Sequence, residues 1–600
     1  MSGEFTAAAV QFEPTLFNKE HNIRELLRLV QEAADGGARL ITIPEMATTG
    51  YCFFDEHEAE AMAEPVPGPT IDRFAAVAAE RSVHIVVGMP EREIETGLLY
   101  NAAVLVGPKG VIGTHRKSHP YIAEPKWAAP GNRGHRVFDT ELGRIALLIC
   151  MDIHFVETAR LVALEGADVI CHISNWLAER TPAPYWISRA YENSCYLVES
   201  NRWGLERGVQ FSGGSCIIAP DSTVVASRDS GDGVVHGRID PEFSRELKQR
   251  QGSALSTRRP ELYRELQKNT FLWNPLEFFS LYGRSPLPPG RPSVVTVVQE
   301  TFDSSPSRNT DKLLDHLEQA SSGAAAELVV FPELSISGAA AGQGDLQVLA
   351  EESGRELHRV AASCARLNVW ALLGLYESAG PSAAVHNSLV LVGPGGVAAR
   401  HHKVHVPAEE TGVTAGSTFT VADIPVGRIG IAHGEDIGQP ETGRILALRG
   451  CDLVAVGGTV TTPLTQGHPG SVIDHGYPIP HGEDPVHWHH MRVRAGENNV
   501  YLAFANTPAG GASGIFGPDT FSFPRTERIA TEGSSTATMT VDTTDGGGRY
   551  PNNVVRRKDL VSMRLPHHYG PLSAADREKE PEPASEESSI ELDSVSVEFA

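Results

Sequence analysis

The chain has 600 residues, 41% of them hydrophobic, with 58 glycines and 40 prolines, which is globular α/β material too long for a single core. Its net charge of −24 leaves no surplus of lysine and arginine for nucleic acid or an anionic membrane, and no run reaches the roughly 18 apolar residues of a span. Seven scattered cysteines form no CxxC pair, and Met1–Thr6 lacks the basic and apolar regions of a secretion signal, so the expected location is cytoplasmic.

Taken in chain order, short apolar runs alternate with stretches of helical spacing. FTAAAVQFEP starts at Phe5, and LITIPEMATTGY starts at Leu40 and stops being apolar at Glu45. The spacing of RFAAVAAER predicts a helix over Arg73–Arg81, with a strand over His84–Gly88 behind it. YNAAVLVGPKGVIGTHRK ends at Lys117, and RIALLICMDIHF carries an apolar strand that ends at Cys150. RAYENSCYLVESN, Arg189 to Asn201, closes the pattern.

The pattern then recurs. SVVTVVQETF from Ser293, LVVFPELSISGA from Leu328 and HNSLVLVGPGGVAARHHK ending at Lys403 repeat the first half. RIGIAHGEDIGQPETGRILALRGCDLV from Arg428 and RAGENNVYLAFAN from Arg494 repeat the second. The register between copies lengthens late, which places an insertion between about Gly457 and Met491. The expected layout is a first α/β unit over residues 5–265, a Pro- and Gly-rich linker over 266–291, a second unit over 292–565, and a disordered acidic tail over 571–600.

Three polar residues stand where an apolar strand stops: Glu45, Lys117 and Cys150. In open α/β architectures functional groups collect at such ends. Each residue alone has an ordinary reading as a turn acid, a solvated lysine or a buried thiol. Together they form a chemical set. A thiol attacks an amide or nitrile carbon only as thiolate, a carboxylate can take its proton and return it to the leaving nitrogen, and an ammonium can stabilise the charge that develops.

These motifs, in this order, resemble the nitrilase or carbon–nitrogen hydrolase superfamily. The resemblance covers both copies and implies two tandem αββα sandwiches. It implies a catalytic Glu45–Lys117–Cys150 triad with no metal or organic cofactor. It also implies a second, substrate-positioning glutamate past the lysine, at Glu124, whose alternative reading is a surface loop acid. Asn175 and Trp176 either line the substrate pocket or belong to a loop that packs Trp176 into the core. The CMDIHF stretch is similar to amidase and carbamoylase branches, while Lys117, Pro120, Glu124, Trp127 and Gly131 have nitrilase spacing. The expected reaction is hydrolysis of a small amide, ureido or carbamoyl compound. The alternatives are a nitrile substrate and a non-catalytic binding or regulatory protein.

In the second copy Glu333 and Lys403 remain, but Gly434 stands opposite Cys150. Cys451 falls well past that position and does not replace it. The second site is therefore expected to be degenerate. In the resembled family, subunits pair through a helix-bearing face, and a tandem chain can make that pairing within itself or add further copies. The insertion carries His487, His489 and His490 in a spacing that fits no standard zinc site, and a polar loop is the expectation there.

Overall fold

In the computed structural model, the residues described are 3–177, 181–250, 252–268, 285–340, 342, 345–378, 383–459, 486–510, 513–519, 526–530, 533–544 and 553–574. Each unit is an αββα sandwich. Runs of Ala, Val, Ile and Leu that are buried on both faces make the central strands, as parallel pairing requires. In the first unit, β1 (Phe5–Gln11), β2 (Ala38–Thr42) and β3 (His84–Arg92) pair in parallel. β4 (Leu99–Gly107) and β5 (Gly110–Arg116) extend that sheet in antiparallel fashion. The facing sheet contains β6 (Val137–Thr140), β7 (Gly143–Ile149), β8 (Val169–Ser174) and β9 (Tyr196–Asn201). A hairpin of β10 (Trp203–Glu206) and β11 (Val209–Ser212) leads to β12 (Ser215–Ile218) and β13 (Val224–Arg228) at its other edge. β14 (Gly233–Ile239) returns to pair with β1.

Leu40, Val86 and Leu105 from one sheet meet Ile145, Leu147 and Val169 from the other, and this is the inner core. The amphipathic helices Lys19–Asp35 and Pro69–Arg81 cover the outside of the first sheet through Leu26, Val30, Phe74 and Val77. The helix expected over Arg73–Arg81 thus starts one turn earlier, with Pro69 in its first turn, and the strand after it runs on to Arg92.

The second unit repeats the plan. One sheet holds β15 (Pro292–Gln299), β16 (Leu328–Val330), β17 (Trp370–Ser378), β18 (Val385–Gly393) and β19 (Gly396–His402). The other holds β20 (Thr420–Ile424), β21 (Gly427–His433), β22 (Leu453–Gly457), β23 (Tyr501–Ala505), β24 (Gly514–Phe516) and β25 (Glu527–Ile529). β26 (Ser535–Asp542) closes on β15 as β14 does on β1. No helix among the described residues is long and apolar enough to cross a membrane.

The helix Val156–Leu164 is buried on every side over Val156–Ala163, and Pro184–Asn193 is buried except at Tyr191. An outer helix is buried all round, charged residues included, only when something covers its second face. The cover is the equivalent pair in the other unit, Pro440–Leu448 and Val486–Asn498. Ion pairs cross the boundary reciprocally. Arg189 pairs with Glu497 and Arg494 with Glu192, while Arg160 Nε lies 3.2 Å from Glu441 Oε1 and Arg444 Nε 3.0 Å from Glu157 Oε1. Repeat-equivalent residues exchange contacts across an approximate two-fold axis, as in an isologous dimer.

Two straps complete the exchange. Arg258, Pro260, Tyr263 and Leu266 end the first unit, and Arg564, Pro566, Tyr569 and Leu572 end the second with the same spacing. Arg258 Nε donates to Glu441 of the second unit at 2.9 Å, and Arg564 Nε donates to Glu157 of the first at 2.7 Å. Tyr263, Leu266, Tyr569 and Leu572 share one buried cluster with Leu161 and Leu446. The expected boundaries shift accordingly. Leu266 is fully buried, so the linker does not begin there, and Gly570–Ser573 is a helical turn with Leu572 buried, so residues 571–574 belong to the body. The rest of the expected tail, 575–600, and linker residues 269–284 lie outside the described residues. The expected polar loop is also corrected in part. His487, His489 and His490 fall in the helix Val486–Asn498, and His490 packs 4.9 Å from the Tyr191 ring across the boundary. The side chains of His487 and His489, and insertion residues 460–485, lie outside the described residues.

Removing one member of a buried pair leaves a charge without compensation. Glu497→Ala, which takes one carboxylate from each of Arg189 and Arg494 and leaves both sharing Glu192, is expected to cost about 3–5 kcal/mol in urea denaturation. A midpoint equal to that of the wild type would show that the ion pairs do not hold the two units together.

Candidate functional site

The site lies where β2, β5 and β7 of the first unit end. Each of the three end residues is placed by a local device. Glu45 follows β2 through Ile43 and Pro44, and β3 passes close behind it. A Cβ on Gly88 would stand 2.2 Å from the Pro44 carbonyl oxygen and 2.8 Å from Glu45 Cα, so only glycine permits the approach. Lys117 follows Arg116, and its backbone N–H donates to the Asn101 carbonyl at 2.8 Å. Cys150 follows Ile149 and opens the turn Cys150–His154 with φ of 46°, in the left-handed region. A non-glycine residue held there costs about 1–3 kcal/mol, which the surroundings must offset.

Those surroundings are polar tethers. Asp152 Oδ1 accepts from the backbone N–H groups of Ser118 and His119, both at 3.0 Å, and from Ser118 Oγ at 2.7 Å. Its Oδ2 accepts from Ile149 N at 3.1 Å and lies 2.8 Å from His115 Nε2. Asp152 therefore ties the loop after Lys117 to the turn of Cys150. His172 Nε2 lies 3.1 Å from the Cys150 carbonyl oxygen, and Glu199 holds the other ring nitrogen. Arg189, the boundary residue, donates from Nε to the Ile153 carbonyl at 3.0 Å.

The candidate residues form one buried hydrogen-bond network. Glu45 Oε1 accepts from Lys117 Nζ at 2.8 Å and from Asn101 Nδ2 at 2.6 Å, and Glu45 Oε2 accepts from Asn175 N at 2.7 Å. Glu124 Oε1 accepts from Lys117 Nζ and, at 2.6 Å, from the Tyr51 hydroxyl, and Asn101 Nδ2 reaches Glu124 Oε2 at 3.3 Å. All of these residues are buried. Glu124, in the short 3-10 helix Glu124–Lys126, is thus not a surface acid.

Burial sets the electrostatics. It opposes the Lys117 ammonium, but Cys150, Glu124 and Glu45 outweigh it and hold the group well above the ordinary lysine range. Burial pushes the Cys150 thiol well above its usual range, with Glu45 adding to the effect and Lys117 opposing it. Burial also raises Glu124, against the pull of Lys117. The resting arrangement is a neutral thiol beside an ammonium held between two carboxyl groups.

Asn175 and Trp176 fall together at the end of β8. The side-chain amide of Asn175 is buried, and neither its oxygen nor its nitrogen has a hydrogen-bond partner. Trp176 stacks 4.7 Å from the His154 ring and lies 5.3 Å from the Trp186 ring, within the inner core cluster. Tyr51, Asn101, Asp152 and His172 are not among the site residues expected from sequence. Asn101 had a signal, since it recurs as Asn387 in the repeated YNAAVLVGP and HNSLVLVGP segments.

The second unit keeps the frame and changes the centre. Lys403 Nζ lies 2.8 Å from Glu333 Oε1 and pairs also with Glu410, and Asn387 Nδ2 bridges the two carboxylates. Gly434 takes the place of Cys150 without the left-handed φ, so the backbone as well as the thiol has changed. Glu435 Oε2 lies 3.0 Å from Lys403 Nζ and gives the lysine a third carboxylate. Among the described residues, one cluster brings metal-ligand atoms together: His401, His433 and Asp436, also in this unit. At the equivalent place beside Cys150, Ile149 stands where His433 does.

Among comparisons with known proteins, the family match is double. A family model described as carbon-nitrogen hydrolase matches twice, over residues 6–249 and 294–544. A protein named nitrilase from Pyrococcus abyssi is 39% identical over 220 residues, covering 36% of this chain and 83% of its own length. A deaminated glutathione amidase from Rattus norvegicus is 30% identical over 269 residues, 42% of this chain and 81% of its own. The crystal structure of an amidase from Nesterenkonia sp. has 22% sequence identity and a TM-score of 0.36, covering 41% of this chain and 94% of that one.

If Lys117 is what makes two buried carboxyl groups tolerable, Lys117→Met is expected to cost about 3–5 kcal/mol of stability. Adding Glu124→Gln, which removes one of the stranded charges, should return part of the loss. Chemical denaturation of the two variants checks this, and equal stability of Lys117→Met and wild type would show that the pairing carries no structural load.

Proposed function

The chain belongs to the carbon–nitrogen hydrolase family, and on that premise we propose that its first unit hydrolyses a small amide, ureido or carbamoyl compound through a thioester on Cys150. The observation that carries the reading is the buried Glu45–Lys117 pair, electrostatically coupled to a thiol on a strained turn. Named amidases among the relatives support the substrate class.

The thiol is neutral at rest, so attack requires that its proton leave as the bond forms. Glu45 accepts the proton while Sγ adds to the carbonyl carbon, and Lys117 stabilises the negative charge on the former carbonyl oxygen. Collapse of the adduct breaks the C–N bond, and Glu45 delivers the proton to the departing nitrogen. Water, deprotonated by the same carboxylate, then attacks the thioester and frees the carboxylic acid and the thiol. Glu124, held by Tyr51 and Asn101, positions the substrate, and the unpaired amide of Asn175 offers it a donor and an acceptor. Trp176 shapes the pocket wall from within the core.

A nitrile substrate is the second reading, favoured by the relative from Pyrococcus abyssi that is named nitrilase. The same residues would add the thiolate to a nitrile carbon. The second unit is silent in either reading, because Gly434 supplies no nucleophile.

Ammonia release from a panel of amides, ureido acids and nitriles tests the class. Cys150→Ala and Glu45→Gln should each abolish turnover of whichever compound is cleaved, and Lys117→Ala should lower kcat by about 10² or more. Activity above a few per cent in clean Cys150→Ala would place the nucleophile elsewhere. The pH profile follows from the thiol. Because its proton affinity is raised, Cys150 remains protonated in the free enzyme above the range where an ordinary thiol near 8.5 ionises. kcat/KM is therefore expected to show no rise between about pH 7 and 9 from thiol ionisation. A tenfold rise per pH unit there would mean that free thiolate, and not the Glu45-assisted thiol, is the attacking form.

A further inference from the structure

The second unit has lost a thiol and gained an imidazole one residue earlier. His433 closes β21 where Ile149 closes β7. It is completely buried, and neither ring nitrogen has a hydrogen-bond partner. An imidazole always carries at least one N–H, and burying it unpaired is costly. A buried histidine whose Nδ1 stands 3.4 Å from Asp436 Oδ2 without a hydrogen bond, and whose Nε2 has no hydrogen-bond partner, has room in its bonding for a ligand.

The groups around it are of the right type. His401 is the second-to-last residue of β19, and Asp436 lies on the helical turn Gly434–Gly438. His401 Nε2 is 2.9 Å from Asp436 Oδ2, and His433 Nδ1 is 3.4 Å from the same oxygen. One donor atom from each residue lies within 4.8 Å of the other two. All three side chains are fully buried. Outer contacts hold them in place. His401 Nδ1 lies 3.3 Å from Thr420 Oγ1, and Asp436 Oδ1 accepts from Val404 N at 3.1 Å and His405 N at 2.8 Å. Orienting hydrogen bonds of this sort are what a metal-ligating imidazole and carboxylate require. The first unit supplies the control within the same chain. There His115 and Asp152 keep the pair at 2.8 Å, but Ile149 removes the third donor.

We propose that the second unit binds one divalent transition-metal ion of the zinc class through His401, His433 and Asp436. Two imidazoles and a carboxylate suit zinc or cobalt, whereas calcium and magnesium take oxygen ligands throughout. The ion takes the place of the proton now shared by His401 and Asp436. His401 comes from one sheet of the sandwich and His433 from the other, so the ion staples the two sheets at the spot where the first unit holds its strained turn. The degenerate unit thus gains a structural centre.

The test uses tag-free full-length protein, stripped with a chelator and dialysed against zinc or cobalt chloride. Elemental analysis is expected to find about one equivalent per chain in the wild type, with cobalt producing visible absorption bands and either ion raising the melting temperature. His433→Ile, which installs the residue that the first unit uses, should weaken binding by more than about 100-fold, beyond the loss typical of an outer contact. The cobalt bands and the melting shift should vanish with it. His401→Asn is the second variant, should His433→Ile fold poorly, and is expected to lose the metal in the same way. Wild-type protein that retains no ion, or variants that bind as well as wild type, would overturn the proposal. The latter result would place the ion elsewhere, for instance on the tract of His487 and His489.

Discussion

The reciprocal arginine–glutamate lattice between the two units is the contact on which the rest of the structure depends. Glu157, Glu192, Glu441 and Glu497 are buried: Glu192 and Glu497 each pair with Arg189 and Arg494, one from each unit, while Glu157 pairs with Arg444 and Arg564 of the second unit and Glu441 with Arg160 and Arg258 of the first. Charges can be taken out of water this far only when partners surround them, and here each unit supplies the partners of the other. The lattice lets the outer helices Val156–Leu164 and Pro184–Asn193 be buried with their charged residues inside, because the second unit covers their outer face. It also reaches the candidate site. Glu497 of the second unit holds Arg189, and Arg189 holds the Ile153 carbonyl in the turn that Cys150 opens.

That chain of contacts gives a physical reason for keeping a unit that has Gly434 where the first has Cys150. The second unit provides the covering surface, the strap of Arg564 and Tyr569, and the acid that orients Arg189. None of this needs a thiol. Freed from it, the second site has relaxed. Gly434 has left the left-handed conformation that Cys150 keeps, and Glu435 has moved a carboxylate against Lys403. The frame of Glu333, Asn387, Lys403 and Glu410 persists because an ammonium between carboxylates is a stable buried arrangement in its own right.

The first site shows the opposite choice. Its strain at Cys150 is held by Asp152 from one side and His172 from the other, both through backbone groups. Burial and the negative charge of Glu45 hold the thiol's proton, so the reaction proposed for this site requires Glu45 to take that proton as Sγ attacks. The ammonium of Lys117 is secured by the same carboxyl groups that raise the thiol. The three groups are therefore one electrostatic unit rather than three independent residues.

The repeat, the two sandwiches and the ends of β2, β5 and β7 were legible in the amino-acid sequence alone, because an apolar strand announces its own end when a Glu, Lys or Cys interrupts it. Glu124 was named only through the family resemblance, not by its own pattern. Asn101 was legible in principle through its partner Asn387, since both stand in a repeated segment, but its amide acts on acids distant in sequence. The straps were written twice, as Arg, Pro, Tyr and Leu at one spacing, yet their last residues, Leu266 and Leu572, fall where composition reads as a linker and a tail. Only tertiary structure decided that they are exchanged between units. It alone paired Arg189 with Glu497 across more than half the chain, put the backbone of Asn175 on Glu45, and sent Trp176 into the core. Strand periodicity is a local property and survives in one dimension. Which buried charge meets which, and which unpaired nitrogen faces which carboxylate, depends on how two sheets and two units close on one another.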